Sequence, residues 1–363
     1  MGLKTGLRLI GAYFFRWVGF SVEPTLIRIG KPTLESPVFL TCNFILTVRR
    51  VIKALRGLDC YLLIAPSKGI NVWCGACGDD FNTDSVISII KTSNIKDLVI
   101  HRNLILPQLS APGINPLIIK KKLGWNVKFG PVYAKDIPMY MKNHYEKKEE
   151  LRVIKFPILK RVEMANMYFF TILLLFSLGF WIAAIFIVTL DLLLFLNSIF
   201  IIILVIYGSL LILPSIKTKT GRFKVLIFEV GIIILISVLF IYIFPNIFFL
   251  IWNFILSLLV TLILTEDFNG LTPIYKSELG EKTWKKGKDE MKFMMMKIKL
   301  QPYGEIKLER EKCIGCKLCI EVCPKNLYIF SEKDNKVDLH DVENCINCNA
   351  CVKRCLAHCL EIV

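Results

Sequence analysis

The sequence predicts three kinds of domain in one chain. Residues 1–150 should form a mixed α/β domain with a parallel, Rossmann-like sheet, and residues 151–275 a helical transmembrane domain of about four spans. After a linker at 276–305, residues 306–363 should form a small α+β module built around cysteines. Three observations predict this order. Short apolar runs alternate with helix-patterned stretches in the first 150 residues, and two long central runs carry almost no charge. Nine of the thirteen cysteines fall between Cys313 and Cys359.

In the first region, Val38–Thr41, Tyr61–Ala65, Leu98–Ile100 and Val127–Phe129 read as short buried strands. Phe44–Leu58, Ser85–Thr92 and Ile114–Leu123 have helical character between them. Strand alternating with helix argues for a parallel sheet covered on both faces. At the N-terminus, Leu3, Leu7, Ile10, Phe14 and Trp17 recur at helical spacing, with Lys4 and Arg8 between them. That pattern fits a helix on a membrane surface or one packed on the domain. Arg16 interrupts the apolar run and no small-residue cleavage site follows, so no cleavable signal is expected.

Met167 to Leu213 is a 47-residue run whose only charge is Asp191, and Val225 to Thr265 is a 41-residue run whose only charge is Glu229. One span needs roughly 20 apolar residues, so each run accommodates two helices with a turn, near Asp191 and at Pro245–Asn246. Solvated positions near span ends are the expected role of Asp191 and Glu229, ahead of an ion path. Lysines and arginines crowd before the first span (Lys147 to Arg161), in the middle loop (Lys217 to Lys224) and after the last (Lys276 to Lys288). The positive-inside rule then puts both termini on the cytoplasmic side of the cell membrane. The formal charge of +16 (46 Lys and Arg against 30 Asp and Glu) lies largely beside these runs. It reads as topology signal or lipid contact, and nucleic acid is not an expected partner.

Cys313, Cys316, Cys319 and Cys323 form C-x2-C-x2-C-x3-C, followed by Pro324, and Cys345, Cys348, Cys351 and Cys355 repeat the spacing. Disulfides or structural zinc are the plain alternatives for such cysteines, but eight in duplicate form the two-cluster bacterial ferredoxin pattern. In that pattern three close thiolates grip one [4Fe–4S] cubane and the fourth reaches the other. The implied sets are Cys313, Cys316, Cys319 with Cys355, and Cys345, Cys348, Cys351 with Cys323. Leu356 stands where a second proline commonly follows, and Cys359 is a ninth thiol, either a buried apolar residue or an exposed soft-metal ligand.

The other distinctive stretch is Asn71-Val72-Trp73-Cys74-Gly75-Ala76-Cys77-Gly78, after a predicted strand. By itself Cys74-x2-Cys77 could be a redox dithiol, half a zinc site or two buried cysteines. A glycine-rich turn after a strand also lets backbone approach a large ligand. His101 and Asn43 fall near predicted strand C-termini, where α/β ligand sites lie.

This stretch resembles the cap-helix motif of the mercury-methylating corrinoid protein family, Asn-Val/Ile-Trp-Cys-Ala-Ala/Gly-Gly-Lys. Asn71, Val72, Trp73, Cys74 and Ala76 match, as do Phe81 and Thr83 beyond. Phrases at Thr47–Arg50, Ala54–Leu58, Leu104–Leu109, Ala111–Gly113, Asp267–Gly270 and Thr272–Pro273 are similar as well, and the cysteine-rich end resembles the family's partner ferredoxin, here fused. Cys77 replaces a motif glycine and Gly78 the motif lysine. Four spans are counted here against the family's five, and the partner's terminal cysteine pair is not seen before Val363.

The resemblance implies a cobalt corrinoid with Cys74 as its lower thiolate ligand, where strong sulfur donation favours methyl transfer to Hg(II) or another soft acceptor. Asn71, Val72, Trp73, Gly75, Ala76 and Thr83 would line the cofactor site, with Cys77 not binding cobalt; His101, by its place near a strand end, is the further candidate, with a structural role as its alternative. It further implies a methyltransferase delivering methyl groups from a methylated pterin, an upstream electron donor, and fused clusters that rescue oxidised cobalt. Two alternatives stand beside this reading: corrinoid methyl transfer to a non-mercury acceptor in one-carbon metabolism, and a membrane-bound two-cluster electron-transfer protein without corrinoid.

Overall fold

The computed structural model describes residues 3–155, 157–184, 192–212, 227–228, 230–235, 247–268, 290–293, 296–299 and 305–363. These fall into two compact units. One takes in the described residues of Met1–Ala12, Arg16–Ile154 and Trp284–Val363; the other holds Tyr13–Phe15 and those of Lys155–Thr283.

In the first unit, helix α1 (Leu3–Phe14) precedes β1 (Thr25–Ile29), β2 (Val38–Cys42), α2 (Ile45–Ala54), β3 (Cys60–Ala65), α3 (Val72–Gly78) and α4 (Thr83–Thr92). Then come β4 (Asn103–Leu106), α5 (Pro116–Leu123), β5 (Asn126–Phe129), α6 (Ile137–Lys142) and the short α7 (Glu149–Arg152). The sheet order is β1-β3-β2-β4-β5. Strands β3, β2, β4 and β5 are parallel, whereas β1 pairs antiparallel with β3, Thr25 opposite Ile64. Strands β2 and β3 are buried at every position, as a sheet covered on both faces requires. Helix α2 turns Val48 and Val51 onto Phe39, Leu62, Ile64 and Ile105, and Tyr140 and Leu151 close the same core.

Two sequence expectations need correction here. Leu98–Ile100 is not a strand; it follows a 3-10 turn at Ile95–Asp97, and the strand begins at Asn103. The apolar triplet is held instead by Ile100 N donating to Leu34 O and by burial of Val99. The sheet is also not wholly parallel, because β1 adds at the β3 edge.

The cysteine-rich part of this unit follows a β-hairpin of β6 (Glu290–Phe293) and β7 (Met296–Lys299), with β7 running beside α3. It comprises β8 (Ile306–Leu308), the short helix at Leu318–Val322, β9 (Tyr328–Ser331), β10 (Lys336–Leu339), the short helix at Ala350–Arg354 and β11 (Leu360–Ile362). Strand β8 pairs with β11, and β9 with β10. The second unit contains α8 (Ile158–Ala184), α9 (Leu192–Ile212) and α10 (Ile247–Phe268), so the two short cysteine-rich helices become α11 (Leu318–Val322) and α12 (Ala350–Arg354).

Among the described residues, α8 and α9 are long and apolar enough to cross a membrane, and Leu250–Thr261 of α10 is a shorter apolar stretch. Their outer faces expose Leu178, Trp181, Leu196, Phe200, Phe254 and Leu259. Polar side chains instead face inward: Trp252 Nε1 donates to Ser198 Oγ at 2.8 Å, and Asn197 Nδ2 to Asn253 Oδ1 at 2.5 Å. Such pairs hold apolar helices together where the hydrophobic effect cannot. The expected turns at Asp191 and Pro245–Asn246, Glu229, the basic middle loop, and Asn269 to Pro273 lie outside the described residues.

Candidate functional site

Helix α3 leaves the C-terminal end of β3 through a loop fixed from beneath by Asn43. That side chain, 5% exposed, accepts from Ser67 N at 3.0 Å, Ser67 Oγ at 2.8 Å and Gly69 N at 2.9 Å, while its Nδ2 donates to Val22 O at 3.0 Å. The Asn43 amide thus ties the loop, through its oxygen, to Val22, through its nitrogen, which gives it a scaffolding role. The helix then starts at Asn71, whose Oδ1 accepts from Cys74 N at 2.9 Å. This is a regular N-cap, satisfying a backbone donor that the helix itself cannot. The same amide turns its Nδ2 to Cys74 Sγ at 3.4 Å, a donor suited to a thiolate.

The motif side chains separate by burial. Cys74 is half-buried, whereas Trp73, Gly75, Ala76 and Cys77 are buried and Val72 is half-buried. Gly75 lies against Phe81, and Phe81 N donates to Gly75 O at 2.9 Å. Ala76 meets Gly113 backbone to backbone; a Cβ on Gly113 would lie 2.8 Å from Ala76 O and 2.5 Å from Phe81 O. Thr83 opens α4 and its Oγ1 accepts from Asn115 N at 2.8 Å. Among the described residues, the buried indole Nε1 of Trp73 has no hydrogen-bond partner, nor has Thr41 Oγ1 near the C-terminal end of β2. Unsatisfied buried donors are rare and call for an explanation such as a missing ligand.

His101 lies elsewhere. It precedes β4, at the N-terminal edge of the parallel strands, where its Nε2 is 3.0 Å from Ser36 O and its Nδ1 accepts from Asn103 N at 3.2 Å. The displaced strand is the reason: a residue read as ending one strand begins the next. His101 closes a loop on the edge opposite Cys74.

The eight cysteines repeat at an offset of 32 residues (345 − 313), and the backbone repeats with them. A 3-10 turn precedes Cys313 and Cys345, and Lys317 (φ 59°) and Asn349 (φ 61°) cap α11 and α12 in left-handed conformation. Asn326 (φ 55°) and His358 (φ 48°) match in the same way. Thus Leu356 in place of proline leaves the loop geometry like its twin. A pocket is lined by Cys323, Cys345, Cys348 and Cys351 together, with Ile346, Leu327 and Ile362. These are the four thiols of one implied set. In the other, Cys316 is exposed, Cys313 and Cys355 are half-buried and Cys319 is buried.

The donor chemistry of these pockets fits a cubane. Backbone N–H groups point at ligand sulfurs: Leu327 N at Cys323 Sγ (3.5 Å), Asn347 N at Cys345 Sγ (3.4 Å) and Cys359 N at Cys355 Sγ (3.3 Å). Burial pushes the Cys319 and Cys351 thiols up to about 12, so only bonding to metal would make them thiolates. Among the described residues no three His, Cys, Asp or Glu side chains converge on a single ion. A cubane does not need them to, since each thiolate takes its own iron. Cys359 is buried, 4% exposed, at the place equivalent to Leu327, with its Sγ 3.3 Å from Cys355 Sγ. Cys77 by contrast neighbours Cys348, so the two extra thiols adjoin different ligand sets.

The sequence reading missed a third group of residues. Lys147 Nζ donates to Glu321 O at 2.9 Å and to Gln108 Oε1 at 3.1 Å; Gln108 Nε2 donates to Arg152 O at 2.9 Å and Val322 O at 3.4 Å. Gln108 falls within the Leu104–Leu109 phrase, a signal that something specific happens there, whereas nothing marked Lys147 apart from its basic neighbours.

Comparison with known proteins agrees with this division. Residues 17–141 match the family described as CO dehydrogenase/acetyl-CoA synthase delta subunit, and residues 305–356 match the 4Fe-4S dicluster domain. The chain is 34% identical over 134 residues to the acetyl-CoA decarbonylase/synthase complex subunit gamma of Methanopyrus kandleri, covering 36% of this chain and 28% of that subunit. The Methanosarcina acetivorans subunit gamma is 33% identical over 132 residues (35% and 28%), and that of Methanocaldococcus jannaschii 33% over 129 (35% and 26%). The chain thus spans little more than a quarter of the length of these relatives. It joins a domain similar to the CO dehydrogenase/acetyl-CoA synthase delta family, and to the acetyl-CoA decarbonylase/synthase gamma subunits, to a 4Fe-4S dicluster domain.

Proposed function

We propose that this chain is a membrane-embedded corrinoid methyl carrier with its own iron–sulfur reductant, of the mercury-methylating type. The observation that carries the reading is Cys74, a half-buried thiol beyond the C-terminal end of a parallel strand, with an amide N–H of Asn71 directed at its sulfur. A corrinoid bound there supplies a cobalt centre that accepts a methyl group and hands it on. The protein's share is positional. Cys74 offers the thiolate ligand, and Asn71 fixes that thiolate's direction and stabilises its charge. Trp73 Nε1 remains available to an acceptor on the corrin periphery. The small residues Gly75 and Ala76 keep α3 tight against Phe81 and Gly113.

The Cys313/Cys316/Cys319/Cys355 and Cys345/Cys348/Cys351/Cys323 sets would each hold a [4Fe–4S] cluster that reduces the cobalt. Partners are a methyltransferase supplying methyl groups from a methylated pterin, an upstream electron donor, and Hg(II) as acceptor. The outward apolar faces of α8, α9 and α10 support a lipid environment, and the basic flanks support a cytoplasmic side for both soluble regions. A second reading keeps the corrinoid but gives the methyl group to an acceptor of one-carbon metabolism. It is favoured by the relatives, which are named as subunits of an acetyl-CoA decarbonylase/synthase complex.

The test is anaerobic purification from a corrinoid-supplied host, with metal analysis and an optical spectrum. About one cobalt and eight irons per chain are expected, with a cobalt spectrum altered in Cys74→Ala. Methylmercury formation lost in that variant supports the mercury reading; methyl transfer without methylmercury supports the second. Eight irons and no cobalt would leave a membrane-bound electron-transfer protein.

A further inference from the structure

Four hydrogen bonds from the α/β sheet domain converge on one turn of the cysteine-rich module. Lys147 Nζ donates to Glu321 O, Gln108 Nε2 to Val322 O, Arg152 Nη1 to Ile320 O at 3.1 Å, and Ile154 N to Pro324 O at 2.9 Å. These carbonyls belong to the end of α11 and to Pro324, on either side of Cys323. Carbonyls at a helix end have no partner within the helix and usually turn to water or a cap. Here side chains of another part of the chain supply the cap. Two further contacts come from the other half of the module, where Lys353 Nζ donates to Pro112 O and the Arg354 guanidinium stands 5.3 Å from the Phe129 ring centre.

The side of the module that faces the sheet domain is therefore the Cys323 side. Cys348 and Cys323, both of this ligand set, are buried, and Cys77 of α3 lies close enough to Cys348 to interact with it electrostatically. The opposite side presents Cys316 and Ile314 (60% exposed) to solvent.

We infer that the two clusters act in a fixed order: the outer one, at Cys313, Cys316, Cys319 and Cys355, takes electrons from outside, and the inner one, at Cys323, Cys345, Cys348 and Cys351, delivers them to the Cys74 site, held there by Lys147, Gln108 and Arg152. This rests on the corrinoid reading above, which supplies the acceptor. One electron leaves a low-potential one-electron donor protein and reduces the outer cluster. With both clusters and the corrinoid bound, that electron would pass to the inner cluster, held by Cys323, Cys345, Cys348 and Cys351, and from there to the metal at Cys74, with no change in the cysteine ligand sets. Lys147, Gln108 and Arg152 are positioning residues, acting through the inner cluster's place.

The experiment is electron paramagnetic resonance on the anaerobic, corrinoid-loaded full chain, partly reduced so that cobalt(II) and a reduced cluster coexist. Cys316→Ser and Cys345→Ser mark which cluster signal is which. The signal altered by Cys345→Ser should be the one that speeds cobalt relaxation. In Lys147→Ala/Arg152→Ala, cobalt and iron contents should match the parent while that coupling disappears and cobalt reduction by the clusters slows by at least tenfold. Coupling to the signal altered by Cys316→Ser would overturn the order. Unchanged coupling and rate in the double variant would overturn the clamp, and so would a chain that loses its clusters, since the residues would then be folding elements. A preparation with iron and no cobalt would overturn the corrinoid reading and remove the acceptor this route needs.

Discussion

Asn43 offers the sharpest test of how the Cys74 helix is positioned. Asn43→Ala removes an acceptor from two buried backbone donors, Ser67 N and Gly69 N, and a donor from Val22 O. The Ser67 hydroxyl keeps Ile70 O at 2.8 Å as an alternative acceptor and is not counted. An unsatisfied buried donor costs about 1–3 kcal/mol, so two cost roughly 4 kcal/mol. For a cooperative unit of this size, each kcal/mol moves the unfolding midpoint by about 2–4 °C, giving a fall of about 8–16 °C. Asn43→Asp keeps the acceptor for both donors and loses only the Val22 link, so its fall should be less than half as large. Thermal unfolding of the detergent-solubilised full chain, followed by circular dichroism and by limited proteolysis of the loop at Ser67–Asn71, reads both. The reasoning fails if Asn43→Ala shifts the midpoint by less than about 3 °C, or if Asp is as damaging as Ala. A loss of cobalt at unchanged stability would instead return Asn43 to cofactor contact.

Gly113→Ala would drive a Cβ into the backbone of Ala76 and Phe81. Neither can yield without moving α3, so a loss of about 2–3 kcal/mol is expected, with reduced cobalt occupancy; a fully stable, fully loaded variant would contradict the packing. Burial lowers the Lys147 ammonium from its usual 10.5 to about 8. Between those values the unfolded chain binds more protons than the folded one, so stability should rise with pH across about 8 to 10.5 and be insensitive to this group below 8. Lys147→Met should remove about 2 kcal/mol of that rise, discounted for partial solvent access, when midpoints at pH 7.5, 9 and 10.5 are compared with the parent. Cys359→Leu copies the residue of the other half and deletes the thiol beside Cys355. Hydrogen bonds to ligand sulfur stabilise the reduced cluster, so the outer cluster's potential should fall in a redox titration, with Cys359→Ser close to the parent and the inner cluster unmoved.

Much of this protein was readable along the chain because the information is local. Cluster ligation depends on cysteines two or three residues apart, and the same spacing written twice is not produced by packing needs. Strands β2 and β3 showed as apolar runs because strands covered on both faces are buried at every position. The Asn71–Gly78 stretch carried its own cap and its own glycine.

What the sequence left open was decided by residues far apart in it. His101 moved to the opposite edge of the sheet because a strand began three residues after the predicted one had ended, and hydrophobicity alone does not mark strand register. Asn43 became a strut because Val22 on one side and the Ser67–Gly69 loop on the other meet around it, two segments that only the fold brings together. Cys359, ambiguous as a ninth thiol, proved to be the counterpart of Leu327, buried beside Cys355. Above all, the face of the cysteine-rich module turned toward the sheet domain was fixed by Lys147, Gln108 and Arg152 reaching carbonyls about 170 to 210 residues away. A backbone carbonyl is the same whatever residue bears it, so local sequence determines which thiols can hold a cluster, while only tertiary structure decides which cluster stands nearest the site it serves.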